Sequence, residues 1–272
     1  MRRSLIFECA EDLLLGTLDD AEGRTGLLIV TGGRQTRVGP HRMMAVLAGE
    51  LASQGYPVFR YDRRGVGDSS GTDAGFRDSG PDIGIAATTF RAACPHLQNL
   101  WALGLCDGAS ALALNHEVTA FAGLILLNPW VIETEAGSTP PAAIRAHYRQ
   151  RLLTAAGLRH VLRRGFNPLA AARGVRAAFR TSNQALASDV MASLARFGGP
   201  IRLLLAGRDA TARAYLNVHQ GKLGKALRIS PRIALDVLDS ASHSFAGHDD
   251  RAWLKAKIIA AIQQNQSLAD LD

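Results

Sequence analysis

The 272-residue chain is long enough to bury one large core with room for an insertion, and its 47% hydrophobic and 20% charged residues exclude a disordered or fibrous protein. Its three cysteines, Cys9, Cys94 and Cys106, are widely spaced without a CxxC pair, which argues against a disulfide framework or a zinc site. The formal charge of +7 is carried by arginine, because only Lys222, Lys225, Lys255 and Lys257 among the 31 basic residues are lysines.

No apolar run approaches the roughly 20 residues that span a bilayer. The opening Met1–Phe7 has some character of a secretory signal, but Glu8, Glu11 and Asp12 interrupt it before an apolar segment develops. A cytoplasmic protein without stable membrane insertion is expected. In chain order, Ser4–Cys9 and Leu13–Leu18 read as an antiparallel hairpin. Gly26–Thr31 reads as a buried strand that stops at Gly32-Gly33. His41–Gln54 carries Met44, Leu47, Ala48 and Leu51 at helical spacing, with Gly55 as its stop. Pro57–Asp62 is the next strand, followed by a Gly- and Asp-rich loop over Arg63–Gly75.

Pro81 suits the first turn of a helix that Asp82–Ala93 fills. Leu100–Leu105 is a strand leading through Cys-Asp-Gly into a small-residue helix, Ala109–Asn115. Ala122–Asn128, Ile201–Ala206 and Ile233–Leu238 supply further strands. Ala252–Ile262 forms a closing helix, with fraying expected after Gln263. Aliphatic strands alternating with helices predict an α/β fold with a mostly parallel eight-stranded sheet. Residues 129–199 contain no convincing strand, so they read as a helical cap inserted between core segments 1–128 and 200–272.

The chemistry centres on Leu103-Gly104-Leu105-Cys106-Asp107-Gly108-Ala109-Ser110. Glycines two before and two after a residue between strand and helix describe a nucleophile elbow, whose turn is too sharp for side chains at the flanking positions. A cysteine there sits at a helix N-terminus, where the dipole favours its thiolate. Asp107 and Ser110 are weaker candidates: Asp107 is flanked by Leu105 and Ala109, and Ser110 by Gly108 and Leu112, inside the helix. Gly207-Arg208-Asp209, after strand Ile201–Ala206, offers a carboxylate to orient an imidazole, although a loop aspartate can equally cap the following helix. His243 is the candidate base, lying between the last strand and the closing helix, with His248 as its competitor. Asp236 and Asp239 are fallback acids. The order nucleophile, acid, histidine suits this chemistry. The Thr31-Gly32-Gly33-Arg34 turn is expected to donate one backbone N–H to an oxyanion, from Gly33 or Arg34, with the second from Asp107.

Tyr61-Asp62-Arg63-Arg64-Gly65-Val66-Gly67-Asp68-Ser69 adds a D-x-R-G-x-G-x-S segment. With the elbow, it resembles the α/β-hydrolase superfamily over nearly the whole chain. TGGRQTRVGPHR (31–42), YDRRGVGDSSG (61–71) and GLCDGAS (104–110) more narrowly resemble the hydrolase 1 proteins associated with the exosortase A system, which accompany bacterial exopolysaccharide and protein-sorting genes. The dienelactone hydrolases are similar in placing a cysteine at the elbow, though their loops differ. The resemblance implies the α/β-hydrolase fold and a structural role for the Asp62 loop. The chain departs from the usual pattern by its cysteine and by lacking a histidine before Gly32.

From Arg145 to Arg180 there are nine arginines and no acidic residue. Such a field attracts anions. Either it is a solvated helical face, or it docks an acidic acyl carrier protein, an acyl-CoA or an anionic glycan, with Arg159, Arg163 and Arg164 as the contact candidates. No nucleic-acid motif accompanies the charge. The expected activity is cysteine-dependent acyl hydrolysis of an ester or thioester by Cys106, His243 and Asp209, with no metal or organic cofactor. Acyl transfer to an alcohol or amine and a non-catalytic binding role on the same fold are the alternatives.

Overall fold

The protein is described by a computed structural model covering residues 1–132 and 185–269. Its strands are β1 (Arg2–Cys9), β2 (Asp12–Asp19), β3 (Thr25–Val30), β4 (Val58–Tyr61), β5 (Asn99–Leu105), β6 (Gly123–Leu127), β7 (Ile201–Ala206) and β8 (Ile233–Leu238). They form one eight-stranded sheet in the order β1-β2-β4-β3-β5-β6-β7-β8. β1 and β2 make the antiparallel hairpin, β2 runs antiparallel to β4, and every other pairing is parallel. This is the α/β-hydrolase fold expected from the sequence.

Burial follows position in the sheet. β3 and β6 are buried at every residue, which is why residues 27–30 and 124–127 read as continuous aliphatic runs rather than alternating ones. β8 lies at the edge and leaves Leu235 and Val237 exposed. On one face, Leu27, Ile29, Leu103, Leu105, Ile125, Leu127 and Leu204 of the sheet meet Met44, Leu47 and Leu51 of helix α1 (Met43–Ser53) and Leu254, Ile258 and Ile262 of the C-terminal helix His248–Ala269. Full burial of each such side chain contributes roughly 1.5–3 kcal/mol relative to exposure. On the other face, Phe90 of α2 (Gly80–Ala93) lies 5.6 Å from Phe59 of β4, ring centroid to centroid.

Some helix boundaries depart from the sequence reading. The helix expected from His41 starts at Met43, because residues 39–42 form a tight turn with positive φ at Gly39 (74°), His41 (50°) and Arg42 (61°). A Cβ on Gly39 would lie 2.5 Å from Met44 Cγ, so the turn presses directly on the first helical turn. The closing helix begins earlier than expected, at His248, and continues past Gln263 to Ala269, with no Gly or Pro in that span to end it.

The chain divides into two compact units, Met1–Val131 with Asp189–Asp272, and Ile132–Ser188. Most of the cap expected over 129–199, with Arg159, Arg163 and Arg164, lies outside the described residues. In the first unit, helical residues 189–196 bury Val190, Met191 and Leu194. No helix among the described residues is long and apolar enough to cross a membrane.

β4 lies on one side of β3 and β5 on the other, so the chain's winding reverses there. The loops leaving the carboxyl ends of β3 and β5 diverge at such a point and open a crevice, the position where open α/β sheets hold ligands.

Candidate active site

The turn after β5 is built around one residue in an unusual conformation. Cys106 has φ 59° and ψ −124° and caps α3 (Asp107–Asn115). A non-glycine residue there stores on the order of 1–3 kcal/mol, retained only because its surroundings fix it. Cys106 N–H donates to Leu127 O at 2.9 Å, and Cys106 O accepts from Trp130 N–H at 3.1 Å and Ala109 N–H at 3.1 Å. The flanking glycines are sterically required. A Cβ on Gly104 would lie 2.5 Å from Gly108 O, and one on Gly108 would lie 2.5 Å from Val30 O.

The three thiols differ in setting. Cys106 is partly exposed, whereas Cys9 and Cys94 are buried. Burial, reinforced by Asp20, pushes the Cys94 thiol up to about 11, and burial with Asp82 also raises that of Cys9. Ser110 is fully buried and donates to Trp130 O, which removes it as a nucleophile.

The candidate acid and base meet. His243 Nδ1 lies 3.1 Å from Asp209 Oδ2, with the imidazole 34% exposed and the carboxylate buried. The same Oδ2 accepts the N–H groups of Thr211 at 2.8 Å and Ala212 at 3.0 Å, capping the helix Ala210–Gln220. Asp209 is therefore both a helix cap and the partner of an imidazole. Burial would raise its carboxyl, but the hydrogen bonds from His243, Ala212 and Thr211 outweigh that and hold it below the usual carboxylate range. The competitors are placed elsewhere. His248 and Asp249 pair on the surface, Asp236 pairs with Lys257, and Asp239 pairs with Arg208.

The His243 loop is held from several sides. Ser240 Oγ donates to Asp250 Oδ2 at 2.6 Å and accepts Ser242 N–H at 3.0 Å, while Ser242 Oγ accepts Ala246 N–H at 2.9 Å. Phe245, fully buried, stacks on Trp253. Asn128, at the end of β6, is the anchor that the sequence did not reveal. Its Nδ2 donates to His243 O at 2.7 Å and its Oδ1 accepts Ala206 N–H at 2.8 Å. Its φ of 43° is one that asparagine tolerates better than most residues. Asn128→Ala would strand a backbone donor and acceptor, so it is expected to destabilise the protein by roughly 2–4 kcal/mol. Urea unfolding measures this, and stability equal to wild type would contradict the anchoring role.

The loop after β3 differs from the expectation in one respect. Gly33 N–H, expected to face an oxyanion, donates instead to the side chain of Asp107, while Arg34 is exposed on the same loop. Burial pushes the Asp107 carboxyl up, against the pull of Gly33 N–H and the charge of Arg63. Arg63, 4% exposed, donates from Nη2 to Gly33 O at 2.6 Å and so fixes this loop, another role invisible in the sequence. Asp62 lies fully buried beneath it, accepting hydrogen bonds from Arg37 N–H, the Arg37 guanidinium and Asp68 N–H, while its backbone O accepts from Ser69 Oγ at 2.7 Å. Among the described residues, no group of three or more His, Cys, Asp or Glu could hold a metal ion.

Residues 28–256 match the family described as the alpha/beta hydrolase family, and the chain belongs to it. No curated protein matches the sequence. Among solved structures, the esterase Pf2001 of Pyrococcus furiosus is similar at 15% identity, over 97% of this chain and 92% of that chain, with a TM-score of 0.68. The α/β hydrolase GrgF of Penicillium sp. sh18 is similar at 17% identity, over 95% and 96% of the two chains, with a TM-score of 0.61. The N-formylmaleamic acid deformylase Nfo of Pseudomonas putida S16 is similar at 18% identity, over 94% and 100%, with a TM-score of 0.58. At these identities the likeness is one of fold.

Proposed function

We propose that this α/β hydrolase is a cysteine-dependent acyl hydrolase acting on an ester or thioester. The observation that carries the reading is the hydrogen bond between His243 and Asp209 at the carboxyl ends of β8 and β7, at the same end of the sheet as the left-handed turn at Cys106. His243 takes the Cys106 thiol proton, and Asp209 holds the imidazole tautomer and balances the imidazolium. The thiolate forms an S–C bond to the acyl carbon as the carbonyl π pair moves to oxygen. The intermediate collapses, the bond to the leaving group breaks, and His243 returns its proton to that group. His243 then deprotonates water, which attacks the thioester and releases a carboxylic acid and the free thiol.

A second reading, acyl transfer, is favoured by the nine arginines of 145–180, a field suited to an acidic acyl donor. An acyl carrier protein or CoA thioester would donate the acyl group, thiolate–thioester exchange being nearly isoenergetic, and an alcohol or amine would replace water. Product analysis separates the two, since hydrolysis yields the free acid and transfer yields an ester or amide.

Alkylation tests the thiol itself. Cys106 is expected to react with iodoacetamide faster than Cys9 and Cys94, with a rate that falls when His243 is replaced by alanine. Equal, slow labelling of all three thiols would favour a non-catalytic binding protein on the same fold.

A further inference from the structure

One carboxyl occupies the ground between the loop after β3 and the start of α3. Asp107 Oδ1 accepts the Gly33 N–H. The N–H groups of Asp107 itself and of Gly108 also favour its charged form. The fit is tight, since a Cβ on Gly32 would lie 2.2 Å from Asp107 Oδ1. Arg63 closes the far side of the loop through its hydrogen bond to Gly33 O, and its buried Nη1 has no hydrogen-bond partner. Backbone donors converging here, beside the turn at Cys106, are what acyl transfer needs for the oxygen of a tetrahedral intermediate. In this chain one of them, the Gly33 N–H, already holds an oxygen of its own.

We infer that Asp107 is a resident competitor for the oxyanion pocket: its carboxyl holds the Gly33 N–H that a substrate's carbonyl oxygen requires, so attack by Cys106 proceeds only as that N–H is released. The inference rests on Cys106 being the nucleophile. As the S–C bond forms and the π pair moves to oxygen, the new anion and the Asp107 carboxylate would compete for one donor and repel each other. Arg63, whose Nη2 also pairs with Asp73 at 3.5 Å while its Nη1 has no hydrogen-bond partner, carries a charge that already acts on Asp107 and offers the released carboxylate its next partner. Asp107 thereby becomes a residue that sets how readily acylation begins, and the buried arginine beside it gains a purpose beyond fixing the loop.

The test compares two reactions of the same sulfur. Alkylation by iodoacetamide develops no oxyanion, whereas acylation by p-nitrophenyl acetate does. Removing a negative charge near Cys106 changes thiol ionisation in both reactions alike, so the ratio of acylation to alkylation rates isolates the pocket. Asp107→Ala is expected to raise that ratio at least about tenfold, which is less than the roughly 10²–10³ that a whole oxyanion donor contributes. Asp107→Asn, which keeps the shape and the acceptor oxygen but loses the charge, is expected to raise it less, and it secures a variant that folds. A ratio unchanged or lowered in every variant that melts as cooperatively as wild type would overturn the inference. Equal p-nitrophenol release by wild type and Cys106→Ala would overturn the assignment of Cys106 and the inference with it.

Discussion

Cys106→Ala is expected to lower kcat/KM for an activated ester by at least about three orders of magnitude, because it removes the atom proposed to form the covalent intermediate. Loss of a nucleophile from a comparable triad costs about 10⁶ in kcat, with a residue of roughly 10³–10⁴ over water left to binding and the oxyanion donors. The fold should tolerate the change. Alanine keeps the β-carbon at φ 59°, so the backbone strain is the same in both proteins, and the latches to Leu127 and Trp130 are main-chain bonds that no side chain interrupts. Thermal melts of the two proteins should therefore nearly coincide while their steady-state rates separate. Serine at the same position keeps the geometry but exchanges an intrinsically nucleophilic thiol for a hydroxyl that depends far more on its base. Cys106→Ser should consequently lie between wild type and alanine, with a steeper loss than either when His243 is also removed.

Asp209→Asn is the second change with a large expected effect, and its value lies in separating the two tasks of one oxygen. Asparagine caps helices as well as aspartate does, so Thr211 and Ala212 should keep their acceptor. It does not hold the imidazole in the required tautomer or balance its charge, a loss of about 10⁴ in kcat in a comparable triad. Activity should fall by roughly three to four orders of magnitude with little change in melting temperature at neutral pH. Asp209→Ala should lose similar activity and about 1 kcal/mol of stability besides, the usual contribution of a helix cap. The pH dependence has a definite sign. Because the folded carboxyl is held below its ordinary value, its bonds contribute stability that is complete above the unfolded value of about 3.9 and is lost as pH falls through the lower, folded value. Any stability advantage of wild type over Asp209→Asn should thus be present at neutral pH and vanish in acid. An advantage that grew on acidification would contradict the geometry.

The elbow was legible in the sequence because its requirement is local and steric. Gly104 and Gly108 are needed by contacts that the turn makes with itself and with the end of β3, so their spacing carries the signal. The sheet was legible for a similar reason: buried central strands favour aliphatic runs, and residues 27–30 of β3 and 124–127 of β6 are such runs. Asp209 shows a milder limit. Helix cap and imidazole partner are rival readings in the sequence and one residue in the fold, because the bond to His243 spans 34 residues and leaves no local mark.

Other features depend on where distant segments meet. Asn128 ends an ordinary hydrophobic strand, and only the approach of the His243 loop, 115 residues later, gives its amide a task. Arg63 sits in a segment already explained by the fold, with nothing in its neighbourhood to announce the carbonyl of Gly33. The expected use of Gly33 as a substrate donor failed to anticipate Asp107, 74 residues away, because a glycine turn advertises free N–H groups without saying what already fills them. The start of α1 was misplaced for a different reason. His41 and Arg42 adopt positive φ, a conformation uncommon for non-glycine residues that the Arg42 residue type does not signal.

One sulfur atom, that of Cys106, is proposed to carry the acyl group, and this is open to direct observation. It is tested most directly by mixing the intact protein with a panel of acyl-CoA and acyl-carrier thioesters, quenching in acid, and measuring mass before and after proteolysis. An added acyl mass is expected that maps to the peptide holding Cys106, disappears in Cys106→Ala, and persists longer when His243 is replaced and deacylation slows. An adduct on another residue, or turnover that Cys106→Ala matches, would contradict that role for Cys106.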